Sequence, residues 1–293
     1  MSTPTGFDLR LDPLSGTATV ITGGRQARPN LPSTGCPFCV GGLEAPDPYD
    51  VRWFTNRWPA IPDGRAEVIL YTPDHDATFW SLGIDGAASV VTLWSQRTEE
   101  LGQRDDVAYV LPFENRGPEV GATIAHPHGQ LYAFPEIPDA ATRELQVGDG
   151  AGCPVCALAA AGERLVHEGD GWITEVPVAA QWPFELLLRP TDHVADLPAA
   201  GPAGHRDLGA ALVDALARLD RLFDAPMPYM LWVHQRPTDG GSWPAAHLHV
   251  HVAPLLRSAG TPRFVAAGEL GSGVYFNPVA PEDAAARLRA VGP

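Results

Sequence analysis

The sequence predicts an α+β fold made of two pseudo-symmetric halves with antiparallel sheets. Three observations carry that expectation. A Cys/Cys/His/His pattern occurs twice: Cys36, Cys39, His75 and His126, then Cys153, Cys156, His193 and His247. The spacings agree, 39 residues from Cys36 to His75 against 40 from Cys153 to His193, and 51 from His75 to His126 against 54 from His193 to His247. A repeat of this length sets architecture before local detail does. Strand-like stretches follow one another in meanders, with one long helical stretch in each half. A small, polar segment, 140–152, lies between the two patterns and divides the chain into an N-terminal half, 1–145, and a C-terminal half, 146–293.

The elements follow in order. Residues 7–11 and 18–21 alternate apolar and polar side chains, as a hairpin does. Residues 67–72 form a strand that runs into a Pro73-Asp74-His75 turn. Val90, Leu93, Trp94 and Leu101 give 88–103 a helical spacing. Strands are expected at 107–113 and 128–134. The second half replays this order, with strands at 172–178 and 185–188 and another turn ending in Asp192-His193. Leu208, Leu212, Leu216, Leu219 and Phe223 mark a helix over 207–223. Strands follow at 230–233 and 247–252, and Pro281 opens a last helix at the position where proline is tolerated. Trp53, Trp58, Trp182 and Trp243 are read as core or interface packing rather than base-stacking residues.

Composition narrows the function. At 293 residues and 45% hydrophobic, the chain can bury a substantial core. A net charge of −15 argues against nucleic-acid and anionic-membrane partners. All 20 basic residues are Arg. The absence of Lys excludes a P-loop and Schiff-base catalysis, so a phosphate clamp has to come from Arg, helix N-termini or backbone N–H groups. No apolar run reaches the roughly 18 residues of a membrane span. Residues 1–10 lack the apolar stretch of a secretory signal. A cytoplasmic protein with reduced thiols is expected.

Two Cys and two His are the donor set of tetrahedral Zn²⁺, and the matched histidines favour zinc over a disulfide or redox pair. On a strand, His126, His128 and Gln130 project to one side. Gly129 admits the close approach of a backbone or ligand. Cys36, Cys39 and His75 leave one tetrahedral position, assigned to His126, so His128 stands as nucleophile or base. The plain alternative is that both histidines are structural. Gln130 cannot give up a proton, but it can hydrogen-bond a phosphoryl oxygen. It suits a good leaving group, such as a sugar phosphate with a second pKa of about 6, and favours transfer over hydrolysis. Asn115, Gly121 and Thr123 lead into this strand with small and hydrogen-bonding side chains. Arg25 and Arg28 lie upstream of the first Cys pair, where a solvated surface role is the plain alternative.

The block Phe113-Glu114-Asn115-Arg116-Gly117, Gly121-Ala122-Thr123 and His126-Pro127-His128-Gly129-Gln130 resembles the active-site block of galactose-1-phosphate uridylyltransferases, a branch of the histidine-triad superfamily. Cys36-Pro37-Phe38-Cys39, Trp182-Pro183-Phe184-Glu185 and 247–258 resemble further family blocks, so the likeness spans nearly the whole chain. It implies two fused histidine-triad-like halves and ping-pong nucleotidyl transfer through a covalent nucleotidyl-His128, with Gln130 holding the phosphoryl group. It implies contacts from Asn115, Gly121 and Thr123 to the diphosphate, and from Arg25, Arg28 and Asn56 to the nucleotide and phosphates. It also implies a substrate role for Glu269, structural zinc at the first cluster, and a homodimer. A further metal site would map to Glu144, His234, His249 and His251; His249 and His251 also read as a relic of the duplication. The second Cys pair and the tail Gly271–Asn277, with Pro281, resemble a sister branch, the ADP-glucose phosphorylases. The internal symmetry proposes a second zinc at Cys153, Cys156, His193 and His247, an arrangement that resembles this branch. The resemblance leaves open the base, the hexose, and whether the acceptor is a sugar phosphate or phosphate.

Overall fold

A computed structural model describes residues 8–22, 35–147, 152–158 and 160–292. In chain order its strands up to residue 254 are β1 (Leu9–Leu11) and β2 (Ala18–Val20), a short hairpin; β3 (Arg52–Thr55), β4 (Ala66–Leu70), β5 (Tyr109–Arg116) and β6 (His128–Phe134) from the first half; and β7 (Leu165–Gly169), β8 (Trp172–Glu175), β9 (Leu186–Pro190), β10 (Tyr229–His234) and β11 (His249–Pro254) from the second. The last nine join in one sheet of order β3-β4-β6-β5-β10-β11-β9-β8-β7. Every pairing in it is antiparallel. Read outward from the central β5–β10 pair, each half repeats the same succession, β5-β6-β4-β3 against β10-β11-β9-β8. The pseudo-symmetry is therefore built into hydrogen bonding: Phe113 pairs with Trp232 at the centre, with Gln130 on one flank and His251 on the other.

The long helices α1 (Gly83–Gly102) and α3 (Leu197–Arg221) are also counterparts. Both begin earlier than residue spacing indicates. Glycine explains the difference: Gly83 has φ +66° and Gly201 has φ +63°, a left-handed bend that each helix places in or just before its first turns. Asp196 caps α3 by accepting from the Ala199 N–H at 2.8 Å. Two shorter helices, α2 (Asp139–Val147) and α4 (Ala267–Ser272), precede α5 (Pro281–Ala290), which opens on proline as expected. Among them, α2 occupies much of the segment read as a plain boundary.

Strand alternation sorts the sheet into two faces. Ile69, Val110, Leu131, Leu188, Val233 and Val250 bury one face against Val90, Trp94, Leu208, Leu212 and Leu216 of the long helices. The other face carries His128 and Gln130 on β6 and His249 and His251 on β11. Between them stand Leu111, Phe113, Tyr132, Met230 and Trp232, all half-buried. A second small cluster, Phe38, Ala45, Val68 and Leu70, seats the first Cys loop on this face.

A candidate active site and three side-chain clusters

The first Cys2His2 set comes from three places: a tight Cys36–Cys39 turn, His75 just after β4, and His126 just before β6. The strand proper starts at His128, so His126 belongs to the approach rather than to the alternation expected of it. All four donor atoms lie within 4.8 Å of one another. Cys39 Sγ stands 3.5 Å from His75 Nδ1 and 3.7 Å from His126 Nδ1. A tetrahedron with Zn–S of about 2.3 Å and Zn–N of about 2.0–2.1 Å has an S···N edge of roughly 3.5 Å, so the set fits zinc. His126 Nε2–H donates to the Thr72 carbonyl at 2.7 Å, which turns Nδ1 toward the sulfurs. Burial pushes the Cys39 thiol up, with Cys36 adding to the effect, which a bound cation would reverse.

Beside this cluster, His128 Nδ1 lies 2.8 Å from the His126 carbonyl oxygen. A carbonyl only accepts, so Nδ1 carries the proton and the neutral ring has its lone pair on Nε2. Phe38 packs edge-on at 5.1 Å between ring centres and helps fix the imidazole plane. Gln130 is oriented too, because Asn56 Nδ2 donates to its Oε1 at 3.3 Å, leaving the amide N–H groups as donors. A cavity of about 330 Å³ is lined by Asn115, Thr123, His126 and His128 among others. Gly121, at φ +87°, makes the left-handed turn between Asn115 and Thr123.

Gly129 does admit a close approach, and the partner is this chain's own Tyr71. A Cβ at Gly129 would stand 2.1 Å from the Tyr71 hydroxyl oxygen. Sequence reasoning missed what surrounds that hydroxyl. Glu114 is buried there and accepts from the Tyr229 hydroxyl at 2.8 Å. Burial pushes Glu114 up to about 7. Its neighbour Arg116 is tied to Asp220 through bonds of 2.6 and 3.0 Å. Asp220 also accepts from Trp80 Nε1 and from the Met227 N–H, so Arg116 braces the loop from α3.

The second half builds two clusters. Cys153, Cys156, His193 and His247 bring their donor atoms within 4.8 Å, with S···N distances of 3.3–3.4 Å. The set meets the same tetrahedral test as the first. All four cysteines are free thiols rather than disulfides. Glu144 of α2, His234 of β10 and His249 and His251 of β11 form a third group within 4.8 Å. Burial works to raise the Glu144 pKa, but bonds from His234, His249 and His251 outweigh it and hold the carboxylate ionised. A Glu/His3 set without sulfur suits a first-row divalent ion. These three groups could each hold a metal ion.

Some expected residues fall elsewhere. Arg25 and Arg28 lie outside the described residues. Glu269 is buried in the first turn of α4, accepting from the Ala266 and Phe276 N–H groups and pairing with Arg263. None of the four tryptophans is in the core: Trp53 and Trp58 are 40% and 41% exposed. Arg97 lies over the Trp53 ring at 3.6 Å and Arg263 over Trp182 at 4.7 Å, so two of the rings are partnered by cations.

Comparison with known proteins agrees with this geometry. Residues 55–138 match the family described as galactose-1-phosphate uridyl transferase, N-terminal domain, and residues 155–292 match its C-terminal domain. A galactose-1-phosphate uridylyltransferase of Thermotoga maritima is 35% identical, over 97% of this chain and 98% of the relative. A solved uridylyltransferase structure superposes with a TM-score of 0.88 at 28% identity, covering 97% of this chain and 98% of that one. An ADP-glucose phosphorylase of Arabidopsis thaliana with bound ADP-glucose superposes at 0.78 and 25% identity, over 97% and 98%. Among the described residues no helix is long and apolar enough to cross a membrane. With both domains matched in order, the chain belongs to the galactose-1-phosphate uridyl transferase family.

Proposed function

We propose that this chain moves a nucleoside monophosphate between a nucleotide sugar and a hexose 1-phosphate through a covalent nucleotidyl-histidine at His128. The observation that carries the reading is the tautomer: the His126 carbonyl holds the Nδ1 proton and leaves the Nε2 lone pair to attack. In the first step the Nε2–P bond forms and the bond from the α-phosphorus to the bridging oxygen breaks, releasing hexose 1-phosphate. In the second, a phosphate oxygen of the acceptor attacks and Nε2 leaves. Neither step requires a proton for the leaving group, which is why an amide rather than an acid can serve at Gln130. Gln130 donates to the phosphoryl oxygens in both steps. Asn115, Gly121 and Thr123 hold the diphosphate, Asn56 keeps Gln130 oriented, and Arg25, Arg28 and Glu269 complete nucleotide, phosphate and sugar contacts.

Zinc at both Cys2His2 sets holds the loops that frame the site, and a divalent ion at Glu144, His234, His249 and His251 ties α2 to β10 and β11. The division at 145/146 separates the two repeats. A cytoplasmic homodimer belongs to the same reading; for the dimer, the half-buried Leu111, Phe113, Tyr132 and Trp232 form an apolar strip on the open sheet face that a partner would cover.

A second reading keeps His128 and changes the acceptor to inorganic phosphate. The second Cys2His2 set favours it, as does the tail, where Asn277 donates to the Ala180 and Trp182 carbonyls. Incubation with α-³²P-labelled UDP- and ADP-sugars tests both. Acid-labile protein label is expected, discharged by hexose 1-phosphate under the first reading and by phosphate under the second. No label from any donor overturns the covalent mechanism. Cys153→Ser should lower bound zinc by one equivalent; unchanged zinc removes the second site.

A further inference from the structure

The third cluster stands where the catalytic constellation stands in the first half. His234 pairs with His249, and Trp232 with His251, as Phe113 pairs with Gln130. Counting outward from the central Phe113–Trp232 pair, His249 takes the place of His128 and His251 that of Gln130. The orientation is repeated as well: His249 Nδ1–H donates to the His247 carbonyl at 2.7 Å, aiming Nε2 at Glu144, 3.3 Å away.

A cavity of about 190 Å³ opens on this cluster, and all four of its members line it. Its walls are apolar, from Leu145 on α2, Val155 and Leu158 beside the second Cys pair, Leu187 on β9, and Ala246. The half-buried His251 turns its Nε2 toward Glu144 Oε1, 3.7 Å away, beside the cavity. A Cys2His2 tetrahedron is closed by its own donors, whereas a first-row ion on one carboxylate and three imidazoles has room for further ligands.

From this we infer that the second half carries a small-molecule site, in which a monocarboxylate with an apolar body of about six carbons coordinates the third-cluster metal from the cavity. Charge selects the head group: a divalent ion with ionised Glu144 and three neutral imidazoles keeps one positive charge, which a carboxylate neutralises. Size selects the body, because an apolar cavity of about 150 Å³ accepts benzene. The inference rests on the third cluster holding a metal, so its test reads metal and ligand separately.

Mn²⁺ prefers this oxygen–nitrogen set to thiolates. The zinc-loaded protein should bind one Mn²⁺, and ¹⁷O-water should broaden its EPR lines through a coordinated water. Benzoate should abolish that broadening. Leu145→Trp, which fills the cavity, should keep the Mn²⁺ and weaken benzoate at least about tenfold. Bound Mn²⁺ with no broadening and no benzoate effect means a closed structural site and overturns the inference. No Mn²⁺ uptake overturns it together with the third metal, and leaves labelling at His128 unaffected as a separate result.

Discussion

Strands β6 and β11 occupy equivalent places in one sheet, present histidines at the same positions and fix them by the same Nδ1–H bond to a backbone carbonyl. What stands around them differs on both faces. Above β6, Asn115 and Thr123 line a cavity beside His128, and Gln130 stands next along the strand; above β11, His251, His234 and Glu144 join His249 in a group that could hold a metal. Beneath β6, Gly129 makes room for Tyr71, with Glu114 and Tyr229 in the same buried group. Beneath β11, Val250 and Val233 are plain core. The matching strands thus carry a histidine and an amide over a buried polar network in one half, and two histidines of a possible ligand set over an apolar core in the other. The difference teaches that reactivity comes from neighbours: the imidazole is posed alike in both halves.

Each side of that comparison can be broken. The largest effect should come from His128→Asn, which removes the nucleophile and should lower transfer by at least about 10⁴-fold, read by label on protein and by turnover. Metal content should be unchanged, since His126 and not His128 belongs to the first cluster. Gln130→Ala removes a donor aimed at developing phosphoryl charge and should cost about 10²–10³-fold in turnover, with the protein still binding nucleotide.

The buried network gives a pH prediction. Burial raises Glu114 from its ordinary 4.5 to about 7, so between those values the unfolded chain has already lost a proton that the folded one keeps. The Glu114 contribution to stability should therefore be full below about pH 4.5 and be lost as pH rises toward about 7, by roughly 3 kcal/mol in all. Glu114→Gln retains an acceptor for Tyr229 and should flatten that dependence, checked by urea unfolding at about pH 5 and about pH 8. An unchanged slope would remove Glu114 as its source. The smallest effect expected is from Gly129→Ala, about 1–3 kcal/mol of stability, because the methyl meets the Tyr71 hydroxyl and the Phe113 carbonyl. Val250→Ala, at the matching place, should lose stability by the opposite cause, a small cavity.

The grouping of the candidate ligands was legible in the sequence because metal-ligand sets restrict residue type and spacing together. The two Cys2His2 sets and the 128–134 strand stand in the structure where the pattern placed them. The Glu114 network was not legible, because a lone Glu in a strand says nothing of Tyr71 and Tyr229, which reach it across more than 40 and 110 residues respectively. Nor was the joining of both halves into a single sheet, which depends on an edge pairing between β5 and β10 that alternation does not encode. The helix starts lie earlier than apolar spacing places them, because the first turns, bent at Gly83 and at Gly201-Pro202, carry few of the apolar side chains that spacing reads.

The central claim is that only the first copy of the strand reacts. The direct measurement is to form the labelled protein with a nucleotide sugar, digest it under neutral conditions and locate the nucleotidyl group by mass spectrometry. The account predicts the adduct on His128 alone; an adduct on His249, or on neither histidine, would contradict it.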